Sequence, residues 1–336
     1  MTRSPFAATA PLLAALCVLA LLAPAPARAE EHMRAPRATR LILQWYPQAQ
    51  FAGYYVALEK GFYRDEGLAM TILPGGPDRP VNDYLDSGQA DFGTMFLSTA
   101  VQKRSHGVPL VCVGQIGQRS ALMLVTRKNS GIRTVQDLDG KKIALWMGDF
   151  QIQPRALFKA NHLNVTMVPQ TSSMTLFLRG GVDAASAMWY NEYHTLLASG
   201  LDEDDIQPFF FHDLGYDFPE DGIYCLEKLW KSEPETCRAV MRASIKGWEW
   251  AFGHPEETLD LVMKAMDEAH VAASRVHQRW MLLRMRDVIE GGGVKPPLLD
   301  PKAYDQVGQT LLDLGFIRRV PAYDDFFKGG EHADAQ

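Results

Sequence analysis

Little in this chain is chemically reactive, and what it lacks narrows the possible functions. No G-x-S-x-G elbow, no phosphate loop of the G-x-x-x-x-G-K-[ST] type and no H-E-x-x-H run is present, which removes the commonest hydrolase, nucleotide and zinc-protease signatures. The histidines stand at no metal-ligand spacing, so no dedicated metal site and no cofactor is expected. Gly291-Gly292-Gly293 precedes Pro296-Pro297, where a turn is the natural reading. No run of Lys and Arg points to nucleic acid. Cysteine is scarce: beyond Cys17 there are Cys112, Cys225 and Cys237, an odd number that makes no full disulfide framework and leaves open whether Cys225 pairs with Cys237.

Long apolar runs are also few. The stretch Leu12–Leu22 is too short for the roughly 20 residues of a membrane-spanning helix. It follows Arg3, meets no acidic residue, and ends in Ala27-Arg28-Ala29, the pattern of a secretory signal cut after Ala29. Removing residues 1–29 takes away Arg3 and Arg28, leaving 32 basic against 40 acidic residues, a formal charge of −8. The expected product is a soluble periplasmic protein of 307 residues, enough for two domains and consistent with a monomer.

What is present is organised around Leu41 to Pro74. An apolar strand from Leu41 to Trp45 turns at Pro47 into a helix carrying Phe51, Tyr54, Tyr55 and Leu58, and a second strand follows from Ala69 to Leu73. The loop between strand and helix lies at a strand's carboxyl end, where open α/β sheets hold ligands. The unit then recurs. Leu163 to Pro169 matches Leu68 to Pro74, Ile143 to Trp146 matches Ile42 to Trp45, and Gly181 to Met188 echoes Gly88 to Met95, with Asp183 and Asp91 one place out of step. Two similar α/β lobes are therefore expected: residues 39–126, then 131–217, with 222–327 returning to the first lobe and adding C-terminal helices. Helices are expected at Pro234 to Phe252, Pro255 to Ala269, Ala272 to Ile289 and Pro301 to Leu314, before a disordered tail over 328–336.

Three loops collect the candidate ligand contacts. The first has Trp45, Tyr46, Gln48, Gln50 and Tyr54; the second Trp146, Asp149 and Phe150; the third Trp189, Tyr190, Asn191 and Glu192. Gly75 and Gly76, which let a ligand approach backbone amides, and Phe96 and Ser98, at the end of the third strand and the start of its helix, complete the set. Facing lobes would gather these loops around one cleft. The loops hold no Lys or Arg before Arg155, whereas an anion site calls for Arg or several helix amino termini. Flat rings, amides and carboxylates suit a neutral or amine-bearing planar heterocycle.

The run Gln44 to Ala57, with Lys60-Gly61-Phe62-Tyr63 and Glu66-Gly67-Leu68, resembles the start of type II periplasmic substrate-binding proteins of ABC importers, above all the branch that binds thiamine pyrimidine precursors. The resemblance continues through Thr134 to Ile143 and Gly181-Val182-Asp183 to about Leu226. It implies a two-lobe α/β fold with a ligand cleft between the lobes. It also implies delivery of a small ligand to a membrane permease and its ATPase subunit, with Glu192 meeting an amino-pyrimidine and Trp45 stacking on it. Riboflavin and sulfonate or nitrate binders share the opening pattern and remain alternatives. The related eukaryotic pyrimidine synthases carry a cysteine cluster that this chain lacks, which sets the enzyme reading second to the carrier.

Overall fold

The computed structural model describes residues 35–329. The expected signal segment, with its cleavage site, and positions 330–336 of the expected tail lie outside the described residues. Among the described residues ten strands occur in order: β1 (Arg37–Ile42), β2 (Leu68–Leu73), β3 (Phe92–Phe96), β4 (Leu110–Gln115), β5 (Leu122–Arg127), β6 (Lys142–Trp146), β7 (Thr166–Gln170), β8 (Ala184–Met188), β9 (Ile206–Phe210) and β10 (Asp221–Leu226). They form two five-stranded sheets, ordered β2-β1-β3-β10-β4 and β7-β6-β8-β5-β9.

The two orders are one plan used twice. In each sheet three parallel strands are followed by one antiparallel strand, β10 in the first and β5 in the second. Those antiparallel strands are the ones that arrive from the other sheet. The chain therefore crosses between sheets twice, over 116–121 and over 211–220.

The repeat read from the sequence holds, with two corrections: strand pairing sets Arg40 against Lys142, so Trp146 answers Gln44 rather than Trp45, and the glycine shifts by one. Arg40 N–H donates to Asp91 Oδ2 at 2.8 Å, while Asp91 N–H donates to Arg40 O at 2.9 Å. Lys142 and Asp183 make the same two bonds, both at 2.8 Å. The two aspartates thus occupy one structural position. The glycine equivalent to Gly88 (φ 69°) is Gly180 (φ 72°) rather than Gly181, which brings Phe96 opposite Met188 in the repeat. Two adjacent glycines look alike in sequence, and only the backbone angle separates them.

Alternation along strands sets the core. In β6, Ile143 and Leu145 face one side and Ala144 the other, and all three are buried. The first helix (Ala52–Glu59) is held against Pro234–Gly253 by a close crossing. A Cβ added at Gly247 would stand 2.1 Å from Gly53 O. Proline opens the helices Pro234–Gly253, Pro255–Glu268 and Pro301–Asp313, where its missing N–H goes unmissed. The third C-terminal helix starts at Arg275 rather than Ala272, because the Ser274 side chain caps it by accepting His277 N–H.

Cys225 and Cys237 are free, buried thiols with their sulfurs 4.0 Å apart, and Cys112 is likewise free and buried. Past the last helix, Lys328 N–H donates to Cys112 O at 2.8 Å. Among the described residues no helix is long and apolar enough to cross a membrane.

Candidate functional site

The two crossings lie side by side and lace together. Ile116 and Gly117 N–H both donate to Asp221 O, at 3.0 and 2.8 Å, and Glu220 N–H returns a bond to Gly117 O at 3.0 Å. Side chains reinforce the lacing: Ser120 N–H donates to Asp217 Oδ1 at 2.8 Å and Ala121 N–H to Glu220 Oε1 at 2.6 Å. Gln115 Nε2 ties Gly117 O and Glu220 O, both at 2.9 Å.

Loop one settles onto this junction. Gln44 N–H donates to Thr94 Oγ1 at 2.9 Å, which turns the chain away from β1 after Ile42. The amides of Gln44 and Gln50 then both donate to Asp221, Gln50 at 2.9 Å, and Gln48 donates to Gln50 Oε1 at 2.7 Å. Ala49 N–H is taken by Gln278 at 2.7 Å. The glutamines of the first loop are thus joined to a carboxyl group 171 residues beyond Gln50.

Gly75 and Gly76 serve this loop's own packing. A Cβ on Gly75 would fall 1.9 Å from Leu43 O, Gly75 N–H donates to Trp45 O at 3.1 Å, and the Tyr46 ring lies against Gly76. Trp45 is half-buried and meets Tyr46 edge-on at 5.3 Å. Tyr54 is wholly inside, edge-on to Trp248 at 6.0 Å, with its hydroxyl unpartnered.

An aromatic chain joins the two sheets. Phe96, at the end of β3, meets Phe150 edge-on at 5.1 Å, and Phe150 meets Trp146 at 5.5 Å. Trp146 is oriented by donating its Nε1–H to Thr171 O at 3.0 Å. Asp149 lies outside the residues whose side chains are described. Phe96, Ser98 and Phe150 line a cavity of about 20 Å³ with Leu122, Gln153, Met188 and Glu220. That is room for one water. A larger, mainly apolar cavity of about 350 Å³ lies beside the helix Thr175–Leu178; none of the expected contacts lines it, though Thr171, which accepts the Trp146 Nε1–H, does.

Loop three brings the acids together. Tyr190 is buried, and Glu220, Asp221 and Glu192 all push its hydroxyl pKa up, after burial itself. Glu192 opens the helix Glu192–Ala198; its Oε2 accepts Met188 N–H at 3.0 Å and its Oε1 accepts Asn191 Nδ2–H at 2.9 Å. Burial raises the Glu192 carboxyl to about 7, against the opposing pull of the Met188 N–H. Asp221 is also raised by burial to about 7, opposed by Gln50 and Gln44. Glu220 stands well above the carboxylate range, through burial and then the neighbouring Asp221. Trp189 points elsewhere: the Arg284 guanidinium covers its ring at 4.6 Å, and its carbonyl accepts Trp280 Nε1–H at 2.8 Å.

Sequence reasoning missed Glu220 and Asp221, with Gln153, Leu122 and Met188 beside them. The available signal was the pair of acids in Phe218-Pro219-Glu220-Asp221-Gly222, set directly before an apolar strand. Chemically, the junction offers buried carboxyl groups, amides and ring faces. No Lys or Arg contributes to the titration of Glu192, Glu220 or Asp221. Where such a carboxyl is charged it takes an N–H donor or a delocalised cation, and where it keeps its proton it donates to an acceptor.

Known proteins match on both sequence and fold. A family model described as NMT1/THI5 like matches residues 48–258. The riboflavin-binding protein RibY of Chloroflexus aurantiacus is 26% identical over 278 residues, 77% of this chain and 78% of that protein. A formylaminopyrimidine-binding protein of Halalkalibacterium halodurans is 25% identical over 241 residues, covering 68% and 71%. The periplasmic aliphatic sulphonate binding protein SsuA of Escherichia coli superposes with a TM-score of 0.69 at 16% identity, over 86% of this chain and 91% of that one. The fold is that of the periplasmic binding proteins.

Proposed function

Because the chain belongs to the NMT1/THI5-like family, we propose that it is an exported solute-binding protein that captures a small planar nitrogen heterocycle of the thiamine-pyrimidine-precursor type and presents it to an ABC permease. The observation that carries this reading is the junction itself. Glu220, Asp221 and Glu192 are each buried and all act on the buried Tyr190 hydroxyl, with no cation in the causes of their shifts, and Glu220 lines the cavity that Phe96 and Phe150 also line. An exocyclic amine or a protonated ring nitrogen meets acceptors there, and flat ring faces supply stacking area.

A sulfonate offers acceptors and no N–H donor, so it would bind only while the buried acids keep their protons, and the likeness to SsuA is one of fold. The cleft proposed lies between a first lobe of residues 39–115 with 221–327 and a second of 122–210; the first lobe expected to run to 126 ends earlier, because β5 pairs with β8 and β9 in the second sheet. A cavity of about 20 Å³ admits no ring, so capture requires the lobes to part and close again by motion at the two crossings.

A carrier returns its ligand unchanged, and a synthase does not. The protein purified from its native host is denatured and the released small molecules identified by mass spectrometry. An intact heterocycle at near one equivalent supports the carrier. A converted product identifies a synthase.

A further inference from the structure

We propose that Glu220, rather than Glu192, takes the ligand's N–H donor and makes the site selective for donor-bearing rings; this rests on the solute-binding reading above. The three buried acids are not equivalent. Asp221 spends its oxygens on the amides of Gln44 and Gln50. Glu192 spends its oxygens on Met188 N–H and Asn191 Nδ2–H, which makes it a positioning residue for the turn before its helix. Glu220 spends one oxygen on Ala121 N–H, while its Oε2 is buried and has no hydrogen-bond partner.

Glu220 is 4% exposed and lines the small cavity beneath Phe96 and Phe150. Among the described residues lining that cavity, its Oε2 is the buried side-chain atom left unsatisfied. The Tyr190 hydroxyl stands nearby and helps the charged form without reaching Oε2 in bonding geometry. The charged groups that act on Glu220 are Asp221 and Asp217, both acidic, so with burial they push its carboxyl well above the usual carboxylate range in the unliganded protein.

Capture then follows a balanced exchange. The carboxyl O–H breaks, its proton passes to solvent buffer, and the ligand's N–H takes its place at Oε2 as a charge-assisted hydrogen bond. Nothing is oxidised or reduced. A donor-bearing ring therefore releases up to about one proton on binding near pH 7, whereas an anionic acceptor requires the carboxyl to keep its proton.

Calorimetry at pH 7 in two buffers of different ionisation heat counts that proton. The probes are 4-amino-5-hydroxymethyl-2-methylpyrimidine, riboflavin and ethanesulfonate, on the wild type, Glu220→Gln, Glu220→Asp and Glu192→Gln, each first checked for folding by circular dichroism. The wild type releases a proton on binding the aminopyrimidine. Glu220→Gln binds at least about tenfold more weakly and releases none, and Glu192→Gln still releases it. Glu220→Asp is too short to reach and weakens binding while keeping an ionisable group; this variant decides the matter if the glutamine variant does not fold.

Wild-type affinity and proton release in the Glu220 variants overturn the assignment and leave the pyrimidine reading intact. If riboflavin binds and the aminopyrimidine does not, the pyrimidine reading falls, and the same variants judge Glu220 on the flavin. Binding of ethanesulfonate alone, or of none of the three, overturns both.

Discussion

His194 and His277 face each other at 2.9 Å between their Nδ1 atoms, one on the helix Glu192–Ala198 beyond the second sheet's β8 and the other on Arg275–Glu290. Asn191 Oδ1 holds His277 Nε2 at 2.8 Å, and His194 leans on Trp280 at 5.2 Å. Such a pair tolerates one bridging proton and no second charge. Burial, then His194, lowers His277 to about 4; burial lowers His194 as well.

The sign follows from that depression. Between its unfolded pKa of about 6.5 and the folded value of about 4, His277 binds more protons when unfolded, so stability is complete above pH 6.5 and falls on acidification toward pH 4. His277→Gln removes that loss. Part of the ring meets solvent, so the difference between wild type and variant should change by roughly 1 to 2 kcal/mol between pH 7 and pH 4.5. Urea unfolding at both pH values measures it.

Asp221 acts in the opposite sense. Its folded pKa is raised to about 7, so its contribution is present at low pH and is lost as pH rises from the unfolded carboxylate value through about 7. Asp221→Asn should flatten the decline in urea midpoint between pH 5 and pH 8. It should also weaken aminopyrimidine binding by about 1 to 3 kcal/mol, because one of the two glutamine amides loses its acceptor. A midpoint that falls as steeply as in the wild type would remove Asp221 from the account.

The crossing of the first helix with Pro234–Gly253 is a sharper stability test. Gly247→Ala places a methyl 2.1 Å from Gly53 O and 2.8 Å from Ala57 Cβ, and should cost about 1 to 3 kcal/mol by overpacking. Gly253→Ala, at the end of the same helix with no atom within 4 Å of the added Cβ, should change stability by less than about 0.5 kcal/mol. Chemical denaturation of the two variants compares them directly.

Phe150 ties the sheets through Phe96 and supports Trp146. Phe150→Ala should leave each sheet folded and weaken ring capture by about tenfold through lost stacking and area. Small-angle scattering should show the wild type contracting on saturation with aminopyrimidine and the variant contracting less. A wild-type radius unchanged by saturation would contradict closure.

The fold was largely legible because the same pattern is written twice. Leu68 to Pro74 and Leu163 to Pro169 resemble each other because β2 and β7 fill the same edge position in their sheets. The aspartates looked misaligned by one residue only because Gly180 and Gly181 cannot be told apart without a φ angle. The acidic junction was not legible. Glu220 and Asp221 sit in what reads as a polar turn, and their burial exists only because the second crossing lies against the first, with Ala121 and Glu220 paired across 99 residues. Glu192 was legible as an acid at the third loop. That its oxygens were already taken by Met188 and Asn191 depends on how the turn closes. The histidine pair escaped for the same reason, since 83 residues separate His194 from His277 and neither has a motif around it.

A buried acidic junction between two sheets that favours a donor-bearing ring over an acceptor-only anion shows itself in one pair of titrations. Calorimetry of the wild type at pH 7 should give saturable heat at one equivalent with 4-amino-5-hydroxymethyl-2-methylpyrimidine and none with ethanesulfonate; saturable binding of ethanesulfonate with no response to the ring would overturn the proposal.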